Sequence, residues 1–152
     1  MSFTAADVKK LREETGAGMM DCKRALDEAK GDFEQAKEIV RLKGLARAEK
    51  KADRETKEGY IASYVHANGK TAALVEILCE TDFVARNEDF REMAKGVAMQ
   101  VVAMSPETVE ELLEQEFIKD PSLTVADIIK GVSGTIGEKF VVNKFVRYAV
   151  GE

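Results

Sequence analysis

Apolar side chains recur at helical spacing through the first part of the chain, and glycines interrupt the pattern. Gly16 and Gly31 stand where helices would stop, and Thr4 with Asp7 has the spacing of a capping box at a helix start. Three segments result, each with one apolar stripe. The pattern predicts three short helices that pack as a small helical module over residues 1–46.

A charged stretch without apolar periodicity follows the module. Residues 47–58 are almost entirely alanine and charged residues, and no large apolar side chain stands among them. This composition is typical of a solvated helix end that runs into a linker. We therefore predict a charged linker over residues 47–58, which separates the module from the rest of the chain.

The apolar period changes to two after this linker. Tyr60–His66 alternates and is rich in strand-forming residues. Asn68 and Gly69 form a pair favoured in tight hairpin turns, and Thr71–Cys79 is the returning strand. Because that strand is apolar on both faces, both of its faces need to be covered.

Helical spacing returns after the hairpin. Glu88–Met104 has a broad apolar face, and Asn87 is placed to cap its start. Pro106 suits the first position of a second helix, which we expect to reach Phe117. A third helix begins at Thr124, where a capping box recurs.

A closing segment rich in strand-forming residues, Phe140–Tyr148, supplies a third strand. The elements over residues 59–152 therefore predict an α+β core domain, a three-stranded antiparallel sheet with helices on one face. A helical module and one such core fit a chain of 152 residues.

Composition narrows the class of protein. The net charge of -5 favours solubility and does not favour nucleic acid as the main partner. No apolar run is long enough to cross a membrane, and the N-terminal residues lack the basic start and apolar core of a signal peptide. Cys22 and Cys79 are too few for a metal cluster or a disulfide framework. We expect both to be small buried hydrophobes in a reducing cytoplasm.

The sequence offers no recognisable catalytic constellation. It has neither a glycine-rich phosphate loop nor a dinucleotide-binding motif. Its one histidine, His66, lies near the predicted hairpin turn, where we expect it to be solvated. No serine or cysteine stands in an activating context. We therefore predict no cofactor, no metal centre and no covalent catalysis.

Two adjacent methionines, Met19 and Met20, follow a glycine turn. Neighbouring helical residues point about 100° apart, so at least one of the two side chains should be partly exposed. One interpretation is a core residue beside a surface methionine. The other is an adaptable contact patch, which the flexible thioether chain suits. The residues alone do not decide between them.

The stretch C-E-T-D-F-V-A-R-N places a carboxylate and a phenyl ring, Asp82 and Phe83, between the second strand and the next helix. One interpretation is local: Thr81 or Asp82 caps a turn, and Phe83 packs under the helix. The other is that Asp82 and Phe83 are held rigidly at the sheet edge and presented to a partner's pocket.

Two motifs resemble the translation elongation factor Ts family. They are Thr15–Leu26, T-G-A-G-M-M-D-C-K-R-A-L, and Thr81–Arg86, T-D-F-V-A-R. In this order and spacing they are highly specific together. The resemblance extends over the charged linker and the closing Phe145–Tyr148, and the helical module resembles the family's ubiquitin-associated-like N-terminal domain.

The resemblance implies a function, since members of this family promote release of GDP from the GTPase elongation factor Tu in the cytoplasm. It implies that one segment disturbs the magnesium site of that partner, with Phe83 as a wedge: Thr81, Asp82, Phe83 and Val84. It implies contacts with the partner for a second set of residues: Leu11, Met19, Met20, Lys23 and Arg86.

The chain departs from many members of the family in having one core unit where they have two related units. Short members resemble it and are thought to supply the second half by dimerising. A sheet with helices on one side leaves its other face bare, so we expect a homodimer packed sheet to sheet. The pair Asn143-Lys144 also departs from the basic pair expected in that strand.

Two other functions stay open at this point. A ribosome-associated chaperone-type binding module without exchange activity would account for the helical module, but not for Thr81–Arg86. A redox or hydrolytic enzyme would need a reactive thiol at Cys79 or a paired carboxylate site.

Overall fold

The computed structural model describes residues 2–152, without the side chains of residues 48 and 49. Its helices are α1 (Ala5–Thr15), α2 (Met19–Glu28), α3 (Phe33–Glu49), α4 (Asp82–Ala85), α5 (Glu88–Met104), α6 (Val109–Glu114) and α7 (Val125–Ile136). Its strands are β1 (Glu58–Val65), β2 (Thr71–Cys79), β3 (Glu116–Phe117), β4 (Asp120–Thr124) and β5 (Val141–Ala149). Three helices therefore precede a mixed part, and the predicted α+β class is confirmed.

The three N-terminal helices surround a small core of their own. Thr4 and Asp7 form the predicted capping box of α1, and Gly16 ends that helix in the left-handed conformation at φ 71°. The buried side chains of this cluster are Val8, Leu11, Ala17, Cys22, Ala25, Leu26, Ala29 and Ala36. A cluster this small has little apolar area to bury, so further packing of the module against the rest of the chain adds to its stability.

Strands β1, β2 and β5 form one antiparallel sheet in the order β1-β2-β5. In one cross-strand row, Val75 pairs with Ala62 of β1 on one side and Phe145 of β5 on the other. The three predicted strands are confirmed. As the central strand, β2 has hydrogen-bonded neighbours at both edges, but its two faces differ: Val75 and Ile77 are fully buried on one face, and Leu74 is 46% exposed on the other.

Helix α5 lies across the inner face of this sheet. Its residues Phe90, Val97 and Val101 are fully buried in the same cluster as Val75 and Ile77 of β2. The outer face is different, since alternate residues of the three strands point into solvent there. The exposed apolar side chains of these strands are Ile61, Val65, Leu74, Val146 and Tyr148.

Helix α3 continues beyond the module and packs against α7 of the mixed part. The two helices approach so closely at Gly44 and Gly134 that a Cβ placed on Gly134 would lie 2.3 Å from the Gly44 carbonyl oxygen. Position 134 therefore requires a residue without a side chain, whereas a Cβ on Gly44 would lie 3.8 Å from the Gly131 carbonyl oxygen, an ordinary contact. The division of the chain into two folding units stays a prediction.

The charged stretch after α3 is not solvated throughout, as the sequence had suggested. Lys51 is 7% exposed, and its Nζ donates to the Ser133 carbonyl oxygen at 3.2 Å. Arg54 Nη1 donates to the Gly137 carbonyl oxygen at 3.1 Å, and Lys139 Nζ donates to that of Ala52. The long aliphatic stem of Lys51 can be buried beside a helix end while its amine finds an acceptor there.

The helix predicted after Pro106 is present, but its predicted bounds are wrong, since it spans only Val109–Glu114 and does not reach Phe117. Ser105 ends α5 in the left-handed conformation at φ 48°, and the next helix begins at Val109, with Thr108 as its N-cap. Phe117 lies in β3, which pairs with β4 in a small hairpin that the sequence did not predict. The buried Gln100 supports that hairpin, since its side chain donates to the Glu116 carbonyl and accepts from the Ile118 amide.

Candidate functional site

The segment after β2 forms a single helical turn, α4, which the sequence did not predict as a helix. Thr81 is its N-cap, and the Thr81 hydroxyl accepts a hydrogen bond from the Val84 amide at 3.3 Å. Val84 and Ala85 point into the core, whereas Phe83 is 76% exposed. The interpretation in which Phe83 packs under the following helix is therefore wrong.

Hydrogen bonds brace both ends of α4. At the start, the Glu138 carboxylate accepts from the Glu80 amide and the Thr81 amide, each at 3.0 Å, and from the Thr81 hydroxyl at 2.7 Å. At the end, Arg91 Nε donates to the Ala85 carbonyl oxygen at 2.9 Å. Arg91 is itself stacked over the ring of Tyr60, 4.5 Å from its centroid. Phe83 is thus an exposed aromatic group on a braced support.

Asp82 lies beside Phe83 at the surface. Its Oδ2 accepts from Arg86 Nη2 at 3.3 Å, and both side chains are about two-thirds or more exposed, at 71% and 68%. An exposed pair of this kind at i,i+4 spacing contributes only about 0.3–0.5 kcal/mol. Both charges are therefore readily available to another molecule.

Cys79 lies beneath this turn and is fully buried. Its Sγ donates to the Thr81 carbonyl oxygen at 3.2 Å. Burial, with a contribution from the charge of Glu138, raises the pKa of the Cys79 thiol to about 11. A thiol that stays protonated and inaccessible near neutral pH is a poor nucleophile. This observation counts against an enzyme that uses Cys79 as its reactive thiol.

A second group of predicted site residues lies on the helical module. Met19 is 56% exposed and Met20 is 58% exposed at the start of α2, and Lys23 is exposed one turn later. Both methionines are therefore surface residues. Leu11 is fully buried in the core of the module, so its predicted contact with a partner has no support from its exposure.

Several residues around the site were missed by the sequence reasoning. Glu138 and Arg91 hold α4 from other elements, and Arg54 joins Glu80 to the end of α7. Glu138 follows the glycine that ends α7, and its partners lie 57 and 58 positions earlier in the chain. Periodicity and capping patterns report only short-range relations, so no local signal marked this residue.

The described residues also bear on metal binding and on membrane spanning. Among the side chains that the structure describes, no group of three or more His, Cys, Asp or Glu residues could hold a metal ion. Over the same part of the chain, none of the helices combines the length and the apolar character that crossing a membrane requires.

An exposed aromatic group on a braced turn, with a second apolar patch on a helical module, is typical of a factor that acts by binding another protein. Comparison with known proteins gives the particular family. A family model described as elongation factor TS matches residues 4–112 and 80–152. The chain belongs to the elongation factor Ts family, and so to the elongation factors of protein biosynthesis.

Relatives from several bacteria are similar over nearly the whole chain. The elongation factor Ts of Fervidobacterium nodosum is 46% identical over 197 residues, which cover 100% of each protein. That of Moorella thermoacetica is 45% identical over 195 residues, with 99% of this chain and 96% of the relative covered. That of Aquifex aeolicus is 49% identical over 153 residues, which cover 97% of this chain and 53% of the relative.

This chain is shorter than the first of these relatives within the aligned region. The alignment with the Fervidobacterium nodosum protein runs over 197 positions and this chain has 152 residues, so 197 − 152 = 45 positions have no counterpart here. Because the alignment covers both proteins completely, these positions belong to the relative.

Proposed function

We propose that this chain is a guanine nucleotide exchange factor for the GTPase elongation factor Tu, and that it promotes GDP release during translation elongation. Membership of the elongation factor Ts family supports this proposal. The observation that carries it is Phe83, a large apolar side chain that is 76% exposed on a turn braced at both ends. A monomeric protein gains nothing in stability from such an arrangement, whereas an exchange factor needs a wedge.

The wedge acts through the free energy of burying its ring. Complete burial of a phenylalanine side chain contributes about 1.5–3 kcal/mol, and most of that remains to be gained when Phe83, 76% exposed, enters a pocket of the partner. Because α4 is already ordered, little of this free energy is spent on folding the turn. The gain can instead favour the open, nucleotide-free state of the GTPase.

Asp82 is proposed to act beside the wedge on the magnesium site of the partner. Its only charged partner among the described side chains is Arg86, in an exposed pair that is easily exchanged for another. A magnesium ion offsets the charge of the bound diphosphate, so its displacement weakens the binding of GDP. Thr81 and Val84 take part by fixing the turn, one as the cap and the other as its anchor in the core.

The exposed patch on α2, formed by Met19, Met20 and Lys23, is proposed as the second contact with the GTPase. Flexible thioether chains adapt to a neighbouring surface, and the lysine adds a charge at its edge. Arg86 supplies a further exposed charge near the wedge. Leu11 contributes indirectly in this proposal, by supporting the module that carries the patch.

Thermodynamic linkage sets a condition on this mechanism. If the factor weakens the binding of GDP to the GTPase, then GDP weakens the binding of the factor by the same ratio. The factor itself makes and breaks no covalent bond. It accelerates exchange because the complex without nucleotide becomes accessible.

The test is stopped-flow release of a fluorescent GDP analogue from purified elongation factor Tu, with increasing concentrations of this protein. We expect strong acceleration by the wild type. Phe83→Ala should reduce the maximal rate about tenfold or more, the effect of a residue that supplies about 1.4 kcal/mol or more. Met104→Ala is the matched control, since Met104 is 51% exposed at the far end of α5.

Three results would contradict the proposal. No acceleration at micromolar wild-type protein would remove the exchange function and favour a binding module such as the chaperone-type alternative. Equal release rates with wild type and with Phe83→Ala would show that Phe83 does not act as a wedge. Equal losses in Phe83→Ala and Met104→Ala would show that general damage, and not the wedge, lowers the rate.

We also propose that the chain forms a homodimer through the outer face of its sheet. Leu74 pairs with Val146 across β2 and β5, and the two side chains are 46% and 40% exposed. Ile61, Val65 and Tyr148 lie on the same strands and are also exposed. An apolar surface on three adjacent strands is more than scattered surface residues would produce, and a second copy would cover it symmetrically.

A further inference from the structure

The Glu138 carboxylate is the point on which the start of the wedge turn is fixed. Oε1 accepts from the Glu80 and Thr81 amides, each at 3.0 Å, and Oε2 accepts from the Thr81 hydroxyl at 2.7 Å. Three donors from two consecutive residues thus converge on one half-buried carboxylate. The two amides belong to the link between β2 and α4, where neither strand nor helix supplies them with an acceptor.

Thr81 passes this constraint on to the helical turn. Its hydroxyl donates to Glu138 and at the same time accepts from the Val84 amide at 3.3 Å. Because its hydrogen is committed to Glu138, its lone pairs are directed toward the amides of α4. A helix of four residues is far too short to be stable by itself. The direction in which Phe83 projects therefore depends on this cap.

Glu138 is itself held firmly. It follows Gly137, which ends α7 in the left-handed conformation at φ 96°, and the Ser133 hydroxyl donates to the Glu138 carbonyl oxygen. The next amide, that of Lys139, donates to the Glu80 carboxylate at 2.7 Å. Each segment thus binds the backbone of the other through one carboxylate. Glu138 accepts from the amides of Glu80 and Thr81, and Glu80 accepts from the amide of Lys139.

We propose that Glu138 is a positioning residue of the exchange reaction, which orients α4 so that Phe83 and Asp82 meet the partner in one fixed direction. This inference rests on the proposed function. It assigns to the end of α7 a role in activity, although no atom of Glu138 need touch the GTPase. The role predicts a loss of rate without a comparable loss of binding, because the contact patch on α2 is unchanged.

The first measurement uses the free protein and does not depend on exchange activity. Amide hydrogen exchange is compared for wild type, Glu138→Ala and Glu138→Gln, with attention to Val84 and Ala85 of the turn. We expect exchange at these amides to become about tenfold faster or more in Glu138→Ala, since a hydrogen-bonded brace is removed. Glu138→Gln keeps the shape and one acceptor oxygen, so it should give a smaller effect.

The second measurement separates rate from binding. Release of the fluorescent GDP analogue from elongation factor Tu is followed over a range of factor concentrations, which yields a maximal rate and a half-saturating concentration. For Glu138→Ala we expect a maximal rate lowered about tenfold, with a half-saturating concentration within about threefold of the wild type. Thr81→Ser keeps the hydroxyl and should retain most of the rate, whereas Thr81→Val should behave like Glu138→Ala.

Asp127→Ala is the control for ordinary destabilisation. Asp127 accepts from the Thr124 amide in the capping box of α7, so its loss also removes a carboxylate cap but leaves α4 untouched. It should change neither the α4 amides nor the maximal rate. Unchanged α4 amides in Glu138→Ala would overturn the inference, as would a loss that appears only in the half-saturating concentration. Absence of activity in the wild type would overturn the proposed function, while the amide measurement still tests the brace.

Discussion

Gly44 and Gly134 meet backbone to backbone where α3 crosses α7. A Cβ at position 134 would lie 2.3 Å from the Gly44 carbonyl oxygen and 2.5 Å from its Cα. Both nearest atoms belong to the backbone, which cannot move aside as a flexible side chain can. The crossing therefore fixes how the helical module packs against the mixed part of the chain.

The first prediction concerns this crossing. Gly134→Ala should lower the free energy of unfolding by about 1–3 kcal/mol, the usual cost of overpacking a tight contact. Gly131→Ala is the matched control on the same helix, since its added Cβ would meet nothing within 4 Å. There, alanine should be neutral or stabilising by up to about 1 kcal/mol. Urea unfolding of the two variants measures both values. Equal free energies of unfolding for Gly134→Ala and Gly131→Ala would contradict a close backbone contact at Gly134.

The second prediction compares the effect on stability of a core residue of the helical module with that of the proposed contact residues Met19 and Met20. Leu11 is fully buried, so Leu11→Ala should cost about 2–5 kcal/mol in the free energy of unfolding. Met19→Ala and Met20→Ala, at exposed positions, should each change it by less than about 0.5 kcal/mol. Thermal unfolding monitored by circular dichroism measures the difference.

The third prediction addresses binding by the same patch. The double variant Met19→Ala/Met20→Ala should weaken binding to nucleotide-free elongation factor Tu about fivefold or more, as expected when contact residues worth about 1 kcal/mol are removed. Leu42→Ala, at a 52% exposed position on α3, is the control and should leave the affinity unchanged. Calorimetric titration measures the affinities. An affinity of the double variant equal to that of the wild type would exclude the patch from the interface.

The fourth prediction concerns the outer face of the sheet. Leu74→Lys should convert the proposed dimer to a monomer, because it places one charge from each copy into an apolar interface. Leu42→Lys introduces the same charge at another exposed leucine and should not change the mass in solution. Sedimentation equilibrium at several concentrations measures the masses. A wild-type protein that stays monomeric at high micromolar concentration would rule out the dimer.

The fifth prediction follows from the raised pKa of Cys79, about 11 in the folded protein against about 8.5 for an exposed thiol. The unfolded chain loses this proton first as pH rises, so the contribution of Cys79 to stability is complete below pH 8.5 and is lost between there and pH 11. Cys79→Ala should therefore show a smaller fall in stability over this window. Urea unfolding at pH 8 and pH 10.5 compares wild type with Cys79→Ala. An equal fall in the free energy of unfolding of the two proteins would contradict a raised pKa of Cys79.

Much of the fold could be predicted because its signals are local. Thr4 with Asp7 and Thr124 with Asp127 announce two helix starts through side chains only three residues apart, and both capping boxes are present. The Asn87 cap is equally local. Pro106 misled the prediction because a proline suits a first helical position without requiring one, and the stronger cap at Thr108 determined where the helix began.

Some residues of the candidate site could likewise be predicted from the sequence, and others could not. Met19 and Met20 could be singled out because adjacent helical residues cannot both face a small core, and Phe83 because it stands beside Asp82 between a strand and a helix. The resemblance to the family, and not these patterns alone, favoured a functional role for them. Glu138 could not be singled out, because the Glu80 and Thr81 amides that it binds are brought near only by tertiary packing. Arg91 lies only six positions from Ala85, but the carbonyl oxygen that it binds exists as a free acceptor only because α4 ends there, and α4 was not predicted. The prediction of a solvated linker failed at Lys51 for a similar reason, since its acceptor lies 82 positions further along the chain.

The close crossing of α3 and α7 has a consequence for how binding develops. In the proposed mechanism, the two contact surfaces are held at a fixed separation and act as a bivalent ligand with a rigid spacer. Once the proposed patch on α2 has docked on the GTPase, the effective concentration of Phe83 at its proposed target is set by geometry and not by the motion of a flexible tether. The second contact then forms without a further loss of conformational entropy, and loosening the crossing should slow exchange even though neither contact surface has changed.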